Sequence, residues 1–204
     1  MCYLFHLKNN TKHFTTNMII IIFILLFIIQ IKGDDKGKCG NYCTYTFIES
    51  TGTLIFNGNY QTYDYKYLSY RPWDSYKDKI ENIQITGNIK YLGQYSFYGF
   101  TNLKHVDFGY TVKEIGSYAF QECTSLKTIT IPEQVMKIYS WAFIGCTSLE
   151  SIIIYSNVID FSYGVFWGSD NLSSIVYYGI IIPIYDNEDG CSAGDYGCGN
   201  STNI

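Results

Sequence analysis

Of the three histidines in the chain, His105 alone stands two residues from a carboxylate, that of Asp107. In an extended strand, residues i and i+2 project from the same face. An imidazole and a carboxylate would therefore stand side by side, the arrangement that orients a general base. Thr128 and Thr130, each 23 residues further on, would bring hydroxyls to the same face and would have to supply the nucleophile of a hydrolase. Such chemistry also needs a shaped site that excludes water. The sequence contains no His-Glu-x-x-His zinc helix and no Gly-x-x-x-x-Gly-Lys-Ser/Thr phosphate loop. The pair reads as a solvated surface feature, and no catalytic residue, cofactor or metal is expected.

Seven cysteines form three groups. Cys2 precedes an apolar leader. Cys123 and Cys146 occupy one repeating column, with Phe100 before them and Ser169 after them. A column shared with Phe fills core volume, so these two read as buried free thiols; the ~4.8 Å between neighbouring strands would permit a disulfide by distance, but parallel side chains do not turn toward each other. Cys39, Cys43, Cys191 and Cys198 flank the repeats. In an oxidising compartment four cysteines allow three pairings. The ends of a stack of about five coils lie ~20 Å apart, which favours Cys39–Cys43 and Cys191–Cys198, while a tail that reaches back leaves the end-to-end pairings open. Their spacing is not that of a zinc ribbon or finger.

The elements that must position these residues are set by a period. Phe97, Phe120, Phe143 and Phe166 recur every 23 residues, as do Leu103, Leu126, Leu149 and Leu172. Further apolar columns run Leu92, Ile115, Ile138, Phe161; Val106, Ile129, Ile152, Ile175; Phe108, Ile131, Ile154, Tyr177; and Val112, Val135, Val158, Ile181. A period in the twenties with leucine-like anchors predicts a leucine-rich-repeat α/β solenoid. Leu126 to Ile131 alternates apolar and polar residues and is β-branched, which predicts a short strand. Gly116 to Cys123 carries Ala119, Phe120 and Cys123 at helix-like spacing, which predicts one short helical or 3₁₀ turn. One unit cannot bury its own apolar side, and stacking in parallel closes a continuous core.

Strand positions that alternate with the core columns then form a concave face. One row is Asn82, His105, Thr128, Ser151, Ser174, and the next is Gln84, Asp107, Thr130, Ile153, Val176, with Tyr155 and Tyr178 just beyond the strands. These residues are small, mostly neutral and rich in hydroxyls, and suit shallow contact with a protein or glycan rather than a deep pocket. A second surface column, Tyr95, Tyr118, Trp141 and Gly164, is either a binding stripe or packing between coils, and packing is favoured.

Residues 1–33 are set aside from the fold. Met18 to Ile29 is an unbroken apolar run preceded by Lys8 and Lys12. It is shorter than the ~17–25 residues of a membrane-spanning helix and matches the apolar middle of a secretory signal. A cleaved signal and a retained signal anchor both remain open, and either places the repeats outside the cytosol. Residues 39–79 read as an N-terminal capping segment: Thr44 to Glu49 and Thr53 to Asn57 form a β-hairpin around Gly52, and Trp73 and Tyr76 cover the first coil. Residues 80–182 form the solenoid of about five coils, beginning with a strand at Ile80 to Ile85. Residues 183–204 form a tail rich in Gly, Asn and Asp. Asn171 and Asn200 begin Asn-x-Ser/Thr sequons and are glycosylation candidates. The net charge of −4, with both signs scattered, leaves no basic face for nucleic acid. The 21 tyrosines suit a partner-binding surface, although Tyr is also a residue of intermediate burial.

The string Gly-x-x-Ala-Phe-x-x-Cys-x-x-Leu-x-x-Ile-x-Ile-Pro, read from Gly116 to Pro132, resembles the repeat of the BspA-like leucine-rich-repeat surface antigens, the treponemal class. Copies at Gly93 to Phe108 and Tyr139 to Ile154 depart from it slightly. The copy at Ser162 to Tyr177 is degenerate, with Val165 in place of Ala and Ser169 in place of Cys. Cys39-Gly-x-x-Cys43, Gly52-Thr-Leu54-x-x-x-Gly58 and Pro72-Trp73-x-x-Tyr76-x-Asp78-x-Ile80 are similar to the segment that precedes the repeats in that family. The resemblance implies a secreted or cell-surface protein used in attachment to an extracellular protein, matrix or glycan. Association with a membrane would come only through the N-terminal hydrophobic segment. A truncated structural or decoy relative with no strong ligand is the alternative.

Overall fold

The computed structural model of the chain describes residues 34–155, 160–178 and 184–185. The leader, Cys191, Cys198, Asn200, Val158 and Ile181 lie outside the described residues. The chain divides into two units, Met1–Asp34 and Asp35–Ile204.

Each repeat contributes a strand to a first face and a shorter strand to a second face. On the first face stand β3 (Thr53–Gln61), β4 (Asn82–Leu92), β5 (His105–Asp107), β7 (Thr128–Ile131), β9 (Ser151–Ile154) and β11 (Ser174–Tyr177); on the second stand β6 (Glu114–Ile115), β8 (Lys137–Ile138), β10 (Asp160–Phe161) and β12 (Ile184–Tyr185). Two strands precede them, β1 (Asp34–Gly40) and β2 (Cys43–Ile48). Among the described residues they form one sheet in the order β1-β2-β3-β4-β6-β8-β10-β12, with β5 also paired to β4, and a second in the order β11-β9-β7. All pairings from β3 onward are parallel and advance by one repeat. β3 and β4 are long because each serves both faces. Their shared bend falls where Gly58 and Gly87 are register partners. Gly87 has φ +75°, and a Cβ there would stand 2.5 Å from the Gly58 carbonyl oxygen, so a side chain would collide with the neighbouring backbone.

The hairpin between residues 44 and 57 is present as β2 paired with β3. β3 is at the same time the parallel neighbour of β4, with Thr53 opposite Asn82. The stack of strands therefore begins before residue 80. β1, with Lys36 and Lys38 exposed, forms the outer edge of this sheet; exposed charge on an edge strand discourages pairing with another chain.

The segment expected to be a short helical or 3₁₀ turn in each repeat is neither. Among the described residues the 3₁₀ turns are Glu49–Thr51 and Asp74–Tyr76, both before Ile80. In the repeats, Tyr95, Tyr118, Trp141 and Gly164 stand at positive φ, and so do Gly99, Glu122, Gly145 and Gly168 four residues later. Left-handed residues at that spacing interrupt a helix. Every second amide in this segment donates to the next repeat instead: Phe97 N–H to Ala119 O at 2.8 Å, Phe120 N–H to Ala142 O at 2.7 Å, and Phe143 N–H to Val165 O at 2.9 Å. The intervening amides close turns, as Ala119 N–H does on Gly116 O at 3.2 Å. The repeats are thus tied along a third line of hydrogen bonds that no strand contains.

The core runs through the stack. Phe56, Phe97, Phe120, Phe143 and Phe166 follow one another with ring centroids 5.3, 4.9, 5.1 and 5.6 Å apart. Trp73 is wholly buried beside Phe56 and Tyr45, with centroids 4.8 and 5.4 Å away, and donates Nε1–H to Ser96 O at 3.0 Å. Tyr76 stacks on Phe47 at 4.6 Å.

Candidate functional site

The parallel register builds the rows of the first face. Asn82 pairs with His105 and Gln84 with Asp107; Ser151 pairs with Thr128 on one side and Ser174 on the other, and Ile153 with Thr130 and Val176. Their neighbours in sequence, Ile83, Ile129, Ile152 and Ile154, point into the core. Because strand side chains alternate, burying one set obliges the other to face out: His105, Asp107, Thr128 and Thr130 are exposed, and Asn82, Gln84, Ser151, Ile153 and Ser174 are half-buried. Tyr155 and Tyr178 are exposed and stack at 4.9 Å with planes 9° apart.

The candidate acid–base pair is not assembled. Asp107 turns back and accepts the N–H of Gly109 on Oδ1 at 2.9 Å. Among the described residues no hydrogen bond links it to His105. One Gly-x-Ser-x-Gly string does occur, Gly190-Cys191-Ser192-Ala193-Gly194; it lies outside the described residues, and as a nucleophile motif it would require a strand-to-helix turn around it. Among the described residues no group of three or more His, Cys, Asp or Glu side chains is arranged to hold a metal ion.

The two sheets meet between β5 and β7, which do not pair. A depression of ≈ 510 Å³ there is lined by Lys104, His105, Ser125, Lys127, Thr128 and Ser148. The two lysines are absent from the expected rows, although their place in the 23-residue column Glu81, Lys104, Lys127, Glu150 marks them in the sequence. Each is drawn outward to a carboxylate, Lys104 to Glu81 at 2.9 Å and Lys127 to Glu150 at 3.9 Å.

The aromatic column on the turn side packs against itself. Tyr95 stacks on Tyr118 at 4.7 Å and Tyr118 on Trp141 at 5.1 Å. At the next position a Cβ on Gly164 would stand 2.7 Å from the Trp141 indole nitrogen, so glycine there leaves room for the ring.

Cys39 and Cys43 form a disulfide, with Cα atoms 5.0 Å apart. Cys123 and Cys146 are free and buried. Their thiols donate to Phe97 O at 3.4 Å and Phe120 O at 3.3 Å, and Ser169 Oγ donates to Phe143 O at 3.3 Å. The three side chains make one bond in successive repeats, which explains why Ser can replace Cys. Burial pushes the Cys123 thiol well up and the Cys146 thiol up to about 12. Asn171 is exposed, and its Nδ2 donates to Thr147 O at 2.7 Å.

Residues 75–187 match the model of the BspA type leucine rich repeat region in 6 copies. No protein of curated function matches the chain. Among solved structures, a leucine-rich repeat protein from Eubacterium ventriosum is similar with 20% identity and a TM-score of 0.56, over 71% of this chain and 44% of its own. The leucine-rich repeat protein of T. pallidum is similar with 19% identity and a TM-score of 0.41, over 66% of this chain and 82% of its own. The chain spans less than half the length of the Eubacterium ventriosum protein. Among the described residues no helix is long and apolar enough to cross a membrane.

Proposed function

We propose that this chain, which belongs to the BspA type leucine-rich-repeat family, is a non-catalytic recognition module whose repeats stack as one solenoid and whose first face contacts an extracellular protein or glycan. One observation carries the proposal: strand register delivers one outward side chain per repeat into each of two rows, interrupted between β5 and β7, and apart from His105 and Asp107 these side chains are hydroxyls, amides and small apolar groups. A broad surface of mostly neutral hydrogen-bonding groups suits a partner laid across several repeats better than a small molecule enclosed in a cleft. Work outside the cytosol is supported by the Cys39–Cys43 disulfide, a bond that persists in oxidising compartments, and by the apolar run from Met18 to Ile29. The module is either secreted or held at the cell surface through that run. The bond from Gly109 to Asp107 speaks against a His–Asp base.

The test is binding of the purified chain to extracellular matrix proteins and to cell surfaces, compared with an Asp107→Lys/Thr130→Lys double variant. Both side chains are exposed, so the fold, checked by circular dichroism, is expected to survive. Loss of binding in the variant is the expected result. Binding that the variant retains would move the interface elsewhere; no binding by the parent chain would make it a structural relative without a strong ligand.

A further inference from the structure

We propose a second binding site, distinct from the strand rows, at the N-terminal hairpin: a shallow seat for one uncharged sugar ring, formed by Tyr42, Tyr60, Tyr63, Asn41, Asn59 and Gln61. These six residues line a hollow of ≈ 170 Å³, smaller than the ~300–1,000 Å³ of a drug-sized pocket and suited to a single ring.

The site is built rather than incidental. The Cys39–Cys43 disulfide closes the loop that carries Asn41 and Tyr42. Backbone bonds pin this loop to β3 and to the segment after it: Asn59 N–H to Tyr42 O at 2.8 Å and Tyr63 N–H to Cys39 O at 2.7 Å. Tyr60 has φ +70°, a conformation rare for an aromatic residue. It stands where pairing with β4 skips Lys90, since Tyr60 lies opposite Ile89 and Gln61 opposite Tyr91. A bulge of this kind re-aims the side chains beside it. The large rings so presented stay in water: Tyr42, Tyr60 and Tyr63 are 69%, 62% and 40% exposed. Tyr42 and Tyr60 meet edge to face, with planes 61° apart, which leaves ring faces uncovered.

The chemistry of the lining selects the ligand. No charged side chain lines the hollow, which disfavours phosphate, sulfate and carboxylate ligands. A pyranose has an apolar face of C–H groups that stacks on the electron-rich face of an aromatic ring. Its hydroxyls donate and accept at once, and so do side-chain amides. Tyr63 Oη donates to Asn41 Oδ1 at 2.9 Å, which orients that amide and leaves its Nδ2 to donate. Asn59 and Gln61 are exposed, each with a planar amide that offers both functions.

The full chain is applied to an array of neutral oligosaccharides ending in mannose, galactose or N-acetylglucosamine, with sulfated and sialylated glycans as separate arms. The best neutral glycan is then titrated by calorimetry at low and high salt. Retention of a neutral glycan with salt-independent affinity is expected. Tyr42→Ala and Tyr60→Asn, the second chosen because Asn tolerates positive φ, each weaken it about tenfold or more. The Asp107→Lys/Thr130→Lys variant binds it like the parent chain. Melting temperatures within a few degrees of the parent verify the folds. The proposal is overturned if no neutral glycan is retained, if only charged glycans are, if both tyrosine variants bind like the parent, or if the Asp107/Thr130 variant is the one that loses binding. That last result would support the strand rows while removing this site.

Discussion

Replacing Phe120 by alanine tests the stacked core directly. The ring is wholly buried between Phe97 at 4.9 Å and Phe143 at 5.1 Å, with Phe108 edge-on at 5.8 Å. Phe→Ala in a core costs about 3–5 kcal/mol, and the value rises with the cavity left behind. Collapse is opposed here because the backbone around Phe120 is bonded to both neighbouring repeats, through Phe97 N–H to Ala119 O and Phe120 N–H to Ala142 O. The upper part of the range applies, ~4–5 kcal/mol, a large share of the ~5–15 kcal/mol that holds a domain together. With a urea slope of about 2 kcal/mol/M, the midpoint falls by about 2 M. Phe166→Ala is the control. Phe166 is 6% exposed and ends the phenylalanine column, since residue 189 is Asp, so it has one column neighbour, at 5.6 Å, and its loss costs ~3 kcal/mol, the lower end of the range. Urea denaturation of the purified chain, followed by circular dichroism, measures both. A Phe120→Ala midpoint within about 0.5 M of the parent, or no lower than that of Phe166→Ala, would refute a core continuous from repeat to repeat.

Glu122→Gly is expected to stabilise the chain by up to ~1 kcal/mol: Glu122 stands at φ +58° where the equivalent positions are Gly99, Gly145 and Gly168, a left-handed residue other than glycine is strained by ~1–2 kcal/mol, and glycine returns ~0.5–1 kcal/mol of that as entropy. A lower melting temperature for this variant would sink the assignment of that column to the left-handed region. Stability is expected to fall in alkali. Burial is the leading cause that pushes the Cys146 thiol and the Tyr65 phenol up to about 12 from ordinary values of 9.0 and 10.0. Below pH 9 the unfolded chain keeps both protons and the contribution is complete; above that the unfolded state releases them first, and the contribution is lost as pH rises through about 12. Native Cys123 and Cys146 should accordingly resist a thiol reagent at pH 8 and react once urea unfolds the chain; rapid reaction in the native state would contradict their burial.

The stack was legible in the sequence because an apolar column at constant interval has one economical physical explanation, and Phe97 to Phe166 lie in file as that explanation requires. The rows of outward residues followed from alternation alone. The turn segments were not legible. Ala119, Phe120 and Cys123 fall at helical spacing, yet the same residues are buried equally well by a string of turns, and periodicity reports burial without reporting hydrogen bonding. The available signal was glycine: Gly99, Gly145 and Gly168 share a column, and a recurring glycine inside an apparent helix points to positive φ. β1 carries Lys, Gly and Asp, poor strand formers, and owes its place to the disulfide and the edge it occupies. The tyrosine site at the hairpin needed the register of β2 with β3 and the bulge against β4, because its residues come from segments 17 or more positions apart in the sequence.

The break in the first face has a cause that can be read residue by residue. Lys104 N–H donates to Glu81 O at 2.8 Å; Glu150 N–H repeats the bond to Lys127 O at 2.8 Å and Ser173 N–H to Glu150 O at 3.0 Å. At the other end of the strands, Tyr155 N–H reaches Ile131 O at 2.9 Å and Tyr178 N–H reaches Ile154 O at 2.8 Å. The donor equivalent to Tyr155 and Tyr178 in the β7 repeat is residue 132, a proline, which has no N–H to give. The side chains at the opposite end are Lys104 and Lys127, like charges one repeat apart, each turned away toward its own glutamate. Exposed ion pairs contribute only ~0–1 kcal/mol, so the missing donor is the larger effect and the charge pattern a secondary one. The repeats stay aligned because the loss is confined to one line of bonding. Gln134 Nε2 donates to Gly109 O at 2.7 Å, β6 pairs with β8 on the second face, and the turn segments remain bonded through Phe97 and Phe120. A proline that would split a two-layered sheet is tolerated here because the repeats are joined along three lines, and the gap it opens is where Lys104, His105, Lys127 and Thr128 gather on the first face.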